Sequence, residues 1–499
     1  MSPHPYSARL NILGAAACLL ILGFFSASAQ PSAPSPLAIR TFFVANNLEG
    51  SVPAQPVHEW SGTVPANVPD AGSIVIDPSA KFQTMAGIGA AFSEIGALAF
   101  AGLPRDRQKE LLKNLFDAKE GAGFSMCRLP IGSSDFATNA YSYAETPDDY
   151  DMKAFSLARD EKSIIPLVQA AQGVNPDLKL FASPWSPPGW MKISGKIDGG
   201  GESNRLRDDE RIYNAYAHYF EKYLAGYRSH GISISRLCPQ NEMDCNPRYP
   251  GCVVKPEEMQ RLVVKHLAPL FASSKVPTEI WAGTFRESPK TPWATECMKN
   301  EAFRAAIAGL GIQYFNGKTV AELADTYPGL RFMHTEASCE NGKNTIEQAQ
   351  NRFPEMIGKF TSGCDNYAYW NMLLDEKQKS GWGWAQNSLV TIERPSGTVR
   401  YNPDFQPVCL VSRVIRPEFV RIGAVFQGAK GSKFSTPVAA FQGPKGEIVV
   451  LAQNRGTQSA ALNLIVGKQT ARAVLPANAD CAITLEPSAS SGISLTDLK

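Results

Sequence analysis

The feature that most constrains the fold is an alternation of short apolar runs with longer segments of helical period between residues 84 and 371. A short apolar run followed by such a segment is typical of a βα unit. Helical segments with apolar residues three and four apart lie at 105–116, 210–229, 256–273 and 345–360. The runs that predict strands lie at 84–91, 125–131, 178–183, 233–239, 279–284, 311–315, 331–335 and 366–371.

Eight strands with intervening helices predict an α/β fold of the (β/α)₈ TIM-barrel type. Such a barrel needs roughly 250 residues, a little over 30 for each unit, and the region from 84 to 371 is long enough. We expect the catalytic barrel to span residues 78–405.

After the barrel the pattern changes to short alternating segments punctuated by glycine, at 439–442, 447–453, 460–466 and 481–485. This pattern predicts an all-β module over residues 408–499. Residues 37–44 also resemble a strand, and we expect the N-terminal region 37–75 to join the same β-sandwich. The alternative is a fully separate C-terminal domain.

The N-terminus has the features of an export signal. Arg9 precedes an apolar stretch at 12–25, and small residues follow at 27–29. The stretch is shorter than the ~20 residues that a membrane span needs, so we expect residues 1–29 to be a cleaved signal peptide and the protein to be secreted or periplasmic, without stable membrane insertion. A membrane anchor is the alternative.

Charge and cysteine content exclude several classes of protein. The formal net charge is +2, and the sequence has no basic run of the kind that marks a nucleic-acid partner. Nine cysteines follow residue 29, and an exported protein could form a disulfide among Cys238, Cys245 and Cys252. Neither cysteines nor histidines show metal-ligand spacing, so no metal site is predicted.

Two glutamates follow strands of the predicted barrel. Glu242 comes after the fourth strand and Glu336 after the seventh, 94 residues later. That interval is close to three βα units, and catalytic side chains of a barrel lie at the carboxyl ends of its strands. We therefore expect the two carboxylates to face each other across the mouth.

Opposed carboxylates suit the cleavage of a glycosidic bond, because the leaving oxygen needs a proton and the anomeric carbon needs a nucleophile or an activated water. A separation of about 5 to 5.5 Å gives retention of configuration, and a wider one gives inversion. Either glutamate alone could be an ordinary solvated loop residue.

The same strand ends carry tryptophans, whose flat faces suit sugar rings. Trp185 and Trp190 follow strand three, and Trp370, Trp382 and Trp384 lie at or after the end of strand eight. A single tryptophan would more often be a core residue. Their clustering at the strand ends favours a carbohydrate site.

Four ordered motifs resemble glycoside hydrolase family 30, which includes glucosylceramidase. The motifs are RLPIGSSDF at 128–136, ASPWSPPGW at 182–190, QNE at 240–242 and TEAS at 335–338. The resemblance runs from about residue 87 to 423. It implies a barrel flanked by a β-sandwich built from both ends of the chain, retaining hydrolysis and no cofactor.

By motif position, the resemblance implies that Glu242 is the acid/base and Glu336 the nucleophile. Asn241 would bond the sugar 2-hydroxyl, a contact that can strengthen in the transition state.

The resemblance implies further binding residues around the nucleophile. Asp135 and Trp185 would hold the hydroxyls of the terminal sugar, Trp370 would form a wall, and Arg128 would stabilise the nucleophile. Trp384 is a further candidate for contact with the substrate. Alternatively, Arg128 and Asp135 could form an ordinary ion pair.

Two departures from the family pattern concern the substrate. Met243 stands where a proline commonly follows the acid/base, and the His-x-Tyr of strand six is replaced by residues 313–315, QYF. The tyrosine that touches the nucleophile is therefore either replaced by Phe315 or supplied by Tyr314 after a register shift.

The sequence thus predicts a secreted retaining hydrolase of a β-glycosidic bond in a carbohydrate or glycolipid, similar to a glucosylceramidase. One alternative is an endo-acting hydrolase of β-1,6-glucan, β-1,6-galactan or xylan. Another is a carbohydrate-binding protein without activity on the same scaffold.

Overall fold

The computed structural model describes residues 38–46, 51–60, 64, 67–286, 292–315 and 317–486. The predicted signal peptide lies outside these residues, as does Leu37. The first strands are β1 (Ala38–Ala45), β2 (His58–Trp60) and β3 (Asp70–Thr84). In β3, Ile74 and Ile76 are buried and Val75 between them is half-buried, as expected for a strand with one face on a core.

The next eight strands form a parallel barrel. They are β4 (Gly87–Ala91), β5 (Met126–Ile131), β6 (Lys179–Pro184), β7 (Arg236–Leu237), β8 (Glu279–Phe285), β9 (Gly309–Ile312), β10 (Phe332–His334) and β11 (Asn366–Asn371). They pair in chain order, and β11 pairs with β4. Backbone hydrogen bonds from Asp365 to Phe332 (2.9 Å) and from Ala337 to Ala368 (3.0 Å) join β10 to β11 and close the barrel.

The eight predicted strands are confirmed, but the bounds of the sixth were wrong. It occupies Gly309–Ile312 rather than residues 311–315. A Cβ atom at Gly309 would lie 2.6 Å from the ring of Trp281, its partner on the neighbouring strand β8, so a glycine is required at this position. Gln313 and Tyr314 consequently lie beyond the strand, at the mouth.

The predicted helices at 105–116 and 210–229 are confirmed, whereas two others are interrupted. The segment 256–273 contains a π-helical turn, Leu262–Leu267, and the segment 345–360 breaks before Arg352, where Pro354 occupies the first turn of a new helix. The helices are α1 (Glu94–Ala101), α2 (Arg105–Phe116), α3 (Ile164–Val174), α4 (Glu210–Ser229), α5 (Pro256–Arg261), α6 (Ala268–Ser273), α7 (Trp293–Met298), α8 (Glu301–Ala306), α9 (Gly317–Thr326), α10 (Ile346–Ala349), α11 (Arg352–Thr361) and α12 (Phe405–Val414).

Two further sheets lie outside the barrel. The small one contains β12 (Leu373–Asp375), β13 (Val390–Glu393) and β14 (Thr398–Tyr401). The large one has nine strands in the order β19-β18-β3-β15-β16-β17-β20-β1-β2. Its C-terminal members are β15 (Val420–Gly428), β16 (Ala439–Gln442), β17 (Ile448–Asn454), β18 (Ala460–Val466), β19 (Gln469–Leu475) and β20 (Ala479–Glu486).

Both ends of the chain build the large sheet, as predicted. Strand β1 pairs antiparallel with β20 along its whole length, and β3 lies between β15 and β18. One face buries an aliphatic core of its own, and the other packs on the barrel helices, where the Phe360 and Phe441 rings meet edge to face at 5.5 Å. The sheet therefore contacts the barrel through α11, a helix of the segment that connects β10 to β11.

Candidate active site

The carboxyl ends of the barrel strands bring both predicted glutamates to one mouth. Glu242 lies five residues after β7, and Glu336 two residues after β10. Their exposed fractions are only 7% and 8%. Burial, followed by the negative charges of both Glu336 and Glu242, raises the pKa of the Asp135 carboxyl and of the Tyr314 hydroxyl. The two glutamates therefore share one electrostatic site.

Glu336 is surrounded by hydrogen-bond donors. Arg128 Nη1 donates to its Oε2 at 2.5 Å, Gln313 Nε2 donates to the same oxygen at 3.0 Å, and the Tyr314 hydroxyl donates to Oε1 at 3.3 Å. Arg128 is fully buried and also donates to Ser183 and to the Thr335 carbonyl. This network holds the carboxylate in one orientation.

Two opposing effects determine the pKa of Glu336. Burial raises it above its ordinary value, and the Arg128 guanidinium and the donors Tyr314 and Gln313 offset only part of this rise. Charge-assisted hydrogen bonds of this kind favour the ionised form. Of the two glutamates, Glu336 is the one built to remain a carboxylate.

Glu242 lies in a poorer environment for a charge. Its side-chain contacts include the Tyr249 hydroxyl at 3.5 Å, Arg286 Nε at 3.9 Å and the Cys245 thiol. Burial, followed by the negative charge of Glu336, raises the pKa of Glu242 to about 7. At neutral pH this group can therefore both give and take a proton.

The backbone of Glu242 has a φ of +45°, in the left-handed region that non-glycine residues seldom adopt. Its N–H donates to Thr284 Oγ1 at 3.1 Å, which holds this conformation from the neighbouring strand β8. The turn aims the side chain into the mouth rather than along the strand.

Asn241 is fixed by its oxygen. Its Oδ1 accepts hydrogen bonds from Arg128 Nη2 (2.6 Å), Thr284 Oγ1 (3.0 Å) and Gln313 Nε2 (3.1 Å). Among the described residues the Asn241 amide nitrogen has no hydrogen-bond partner. Its N–H groups are thus available to a ligand, such as a sugar hydroxyl.

Asp135, Trp185 and Trp370 lie around the same mouth. The two indole rings stack with centroids 4.9 Å apart, and the Arg128 guanidinium lies over both. Asp135 is buried, and its Oδ1 has no partner within the described residues. Arg128 pairs with Glu336 instead, so the alternative of an ordinary Arg128–Asp135 ion pair is wrong.

The outer aromatic residues differ in their surroundings. Trp384 packs against Tyr249, with ring centroids 4.8 Å apart, and Tyr249 in turn contacts Glu242. Trp382 donates from Nε1 to Asp198 at 2.9 Å, and Trp190 donates to the Ala144 carbonyl at 2.9 Å. These two indoles anchor loops through their N–H groups.

Several residues at the site were missed or left open by the sequence reasoning. Tyr314, rather than Phe315, touches Glu336, and Phe315 is buried. Thr284 and Arg286 come at the carboxyl end of β8, and this position was the available signal. Tyr249 reaches Glu242 through a loop, and no sequence pattern marks it.

The structure describes Cys238, Cys245 and Cys252, and none of these three cysteines forms a disulfide. Within the described ranges, no group of three or more His, Cys, Asp or Glu side chains could hold a metal ion. No helix among those residues is long and apolar enough to cross a membrane.

An eight-stranded parallel barrel with two buried glutamates at the ends of its fourth and seventh strands defines the class of (β/α)₈ glycoside hydrolases. The family model for the glycosyl hydrolase family 30 TIM-barrel domain matches residues 85–434. The chain belongs to this family, and it is a glycoside hydrolase.

Similar proteins include two named hydrolases. The lysosomal acid glucosylceramidase of Mus musculus is 25% identical over 427 residues, which cover 81% of each chain. The endo-1,6-beta-D-glucanase of Neurospora crassa is 26% identical over 394 residues, 76% of this chain and 80% of that one. The crystal structure of SrfJ from Salmonella typhimurium shares the fold, with a TM-score of 0.80 and 24% identity over 90% of this chain and 100% of that one.

Proposed function

We propose that this protein is a retaining β-glycosidase in which Glu336 is the nucleophile and Glu242 the acid/base. The observation that carries the proposal is the difference in hydrogen bonding between two equally buried carboxylates. Glu336 accepts three hydrogen bonds, one of them from a fully buried arginine, whereas Glu242 has a raised pKa of about 7. One group is prepared to attack and the other to transfer a proton.

In the first step Glu336 attacks the anomeric carbon as Glu242 gives its proton to the leaving oxygen. The C–O bond to the leaving group breaks, and a glycosyl ester with Glu336 forms. In the second step Glu242, now a carboxylate, takes a proton from water, which attacks the anomeric carbon and releases Glu336. Asn241 donates to the sugar 2-hydroxyl through its free amide N–H groups.

The sugar proposed for this site is a terminal β-linked glucose, as in a glucosylceramidase-like β-glucosidase. Asp135 supports this assignment, because its unpartnered buried oxygen can accept hydrogen bonds from sugar hydroxyls beside the Trp185–Trp370 stack. The name of the mouse relative adds support from outside the site.

A second candidate is endo-acting hydrolysis of β-1,6-glucan. The Trp384–Tyr249 pair favours it, because Tyr249 contacts Glu242, the proposed proton donor to the leaving group, and Trp384 packs on Tyr249. The name of the Neurospora relative is consistent with this activity. Hydrolysis of the polymer with release of internal fragments would separate it from single-sugar release.

The test uses aryl β-glycosides of glucose, xylose, galactose and fucose, together with β-1,6-glucan, β-1,6-galactan and xylan. Wild-type protein is expected to cleave a β-glucoside, and NMR of the first-formed anomer is expected to show the β form. An α anomer would contradict retention. Failure to cleave any of these compounds would favour a binding protein without activity.

We also propose that the protein is exported after cleavage near residue 29. The basic Arg9, the apolar segment 12–25 and the small residues at 27–29 support this proposal. Mass spectrometry of the protein recovered from the periplasm or medium is expected to show an N-terminus near Gln30. An intact Met1 in the exported fraction would contradict cleavage.

A further inference from the structure

Two side chains at the carboxyl end of strand β8 contact Glu242. Thr284 contacts Asn241 Oδ1 and the Glu242 N–H. Arg286 lies one residue beyond β8 and forms an ion pair with the Glu242 carboxylate. The carboxyl end of β8 is therefore a support for both the backbone and the side chain of Glu242.

Arg286 lies between two carboxylates of the acid/base loop. Its Nε is 3.3 Å from Asp244 Oδ1 and 3.9 Å from Glu242 Oε1. The Arg286 side chain is 35% exposed, whereas those of Glu242 and Asp244 are 9% and 12% exposed. The guanidinium thus reaches from the rim onto two poorly hydrated acids and forms its closer contact with Asp244.

We propose that Arg286 and Asp244 act as a charge pair that positions Glu242 and sets the pH range in which it exchanges its proton. The inference rests on the proposed role of Glu242 as the acid/base. Arg286 stabilises the carboxylate form of Glu242, and Asp244 limits that stabilisation by holding the guanidinium closer to itself. Neither residue needs to touch the substrate, so both are positioning residues.

The charged and titratable groups around Glu242 have opposing effects. After burial, Glu336 raises the pKa of Glu242, Arg286 lowers it, and Asp244 raises it. The other groups that interact with Glu242 are Cys245, Tyr249, Tyr314 and Asp135. Arg286 is the cation closest to Glu242 within the described ranges. Removal of the Arg286 charge should therefore raise the pKa of Glu242.

The pair would act in both chemical steps. When Glu242 protonates the leaving oxygen it gains a negative charge, which Arg286 partly neutralises. When Glu242 later takes a proton from water, that charge disappears and Arg286 remains paired with Asp244. An arginine bound to Glu242 alone would stabilise the carboxylate more strongly and weaken it as a base.

The experiment measures kcat/KM against pH with a phenyl β-glycoside, because a poor leaving group needs the proton from Glu242. Arg286→Gln is expected to move the alkaline limb up by about one pH unit, because a nearby cation is lost. Asp244→Asn is expected to move the limb down by a smaller amount. Arg286→Lys keeps the charge and should restore most of the wild-type position.

A limb that stays in place in both Arg286→Gln and Asp244→Asn, or moves the same way in both, would overturn the inference. Arg40→Gln is the matched control, since Arg40 forms an ion pair with Glu59 on the large sheet. Thermal unfolding of each variant identifies misfolding, and Arg286→Lys provides a second reading if Arg286→Gln is unstable.

Failure of the proposed function has a different result. If Glu242→Gln retains wild-type activity with the same alkaline limb, Glu242 is not the acid/base. If the limb disappears in Glu242→Gln but does not respond to Arg286→Gln or Asp244→Asn, only the charge-pair inference is wrong.

Discussion

The Glu336 side of the barrel mouth, at the end of β10, and the Glu242 side, at the end of β7, hold the same residue type in different surroundings. Glu336 accepts hydrogen bonds from Arg128, Gln313 and Tyr314 at 2.5 to 3.3 Å. Glu242, equally buried, has a phenol at 3.5 Å and an arginine at 3.9 Å. Depth of burial therefore does not separate the two roles, whereas the number and charge of the donors do.

The largest expected effect comes from removing each carboxylate in turn. Glu336→Gln should lower kcat by roughly 10⁴-fold or more with every substrate, because no other group can form the glycosyl ester. Glu242→Gln should lower the rate of glycosyl-enzyme formation by roughly 10²–10⁴-fold with a phenyl glycoside. With a dinitrophenyl glycoside, whose leaving group needs no proton, the loss of rate in this step should be much smaller.

Single-turnover measurements with both glycosides test this difference, and added azide should restore turnover of Glu242→Gln. Equal losses for both variants with both substrates would break the comparison, since the two carboxylates would then have the same role.

The next effect concerns the stability of the Glu336 side of the mouth. Arg128→Met leaves the buried Glu336 without its cation and should lower the free energy of unfolding at neutral pH by roughly 3–5 kcal/mol. The change also raises the pKa of Glu336 in the folded protein further above its ordinary value of 4.5. The folded state then holds the proton more tightly than the unfolded state, so the deficit should shrink as the pH falls to that value.

Urea unfolding of wild type and Arg128→Met at pH 7.5 and pH 4.5 measures this effect. Arg40→Gln is again the surface control. A deficit that is the same at both pH values would indicate lost packing rather than an uncompensated carboxylate.

The Glu242 side of the mouth is expected to determine the alkaline limb of the pH–activity profile. Glu242 must be protonated to act first as an acid, so kcat/KM should fall as the pH rises through its pKa of about 7. Two units above that pKa, activity with a phenyl glycoside should be roughly 100-fold lower. A pH profile that is flat to pH 9 would contradict the assignment of the proton to Glu242.

A smaller effect is expected at Gln313, which donates to both Glu336 and Asn241. Gln313→Ala removes both hydrogen bonds and should lower kcat by about 10- to 100-fold, with a smaller change in KM. Gln313→His, which restores the imidazole of the family pattern, should retain more activity than Gln313→Ala. A change confined to KM would place Gln313 in substrate binding instead.

The sequence predicted the barrel well because parallel strands are buried on both faces and therefore form apolar runs. The two glutamates were also predictable, since each lies within five residues of the end of such a run. The register of β9 was not, because Gly309 pairs with Trp281 of the neighbouring strand β8, whose ring leaves no room for a side chain there. That register decides that Tyr314, and not Phe315, reaches Glu336.

The surroundings of Glu242 could not be read from the sequence for a related reason. Tyr249 reaches Glu242 from a loop, and Thr284 and Arg286 reach it from the end of β8, 7 to 44 residues away in the chain. Periodicity reports which face of an element is buried, but it does not report which loop side chains converge. The pKa of a buried carboxyl depends on that convergence.

In the proposed mechanism, Glu336 alone forms the covalent intermediate. Incubation with the 2-deoxy-2-fluoro-β-glycosyl fluoride of the sugar that wild type cleaves, followed by peptide mass spectrometry, would identify the residue that carries it. The expected product has one added fluoroglycosyl group, as an ester on the peptide that contains Glu336. A label on Glu242, or an enzyme that hydrolyses its substrate with inversion and is never labelled, would contradict it.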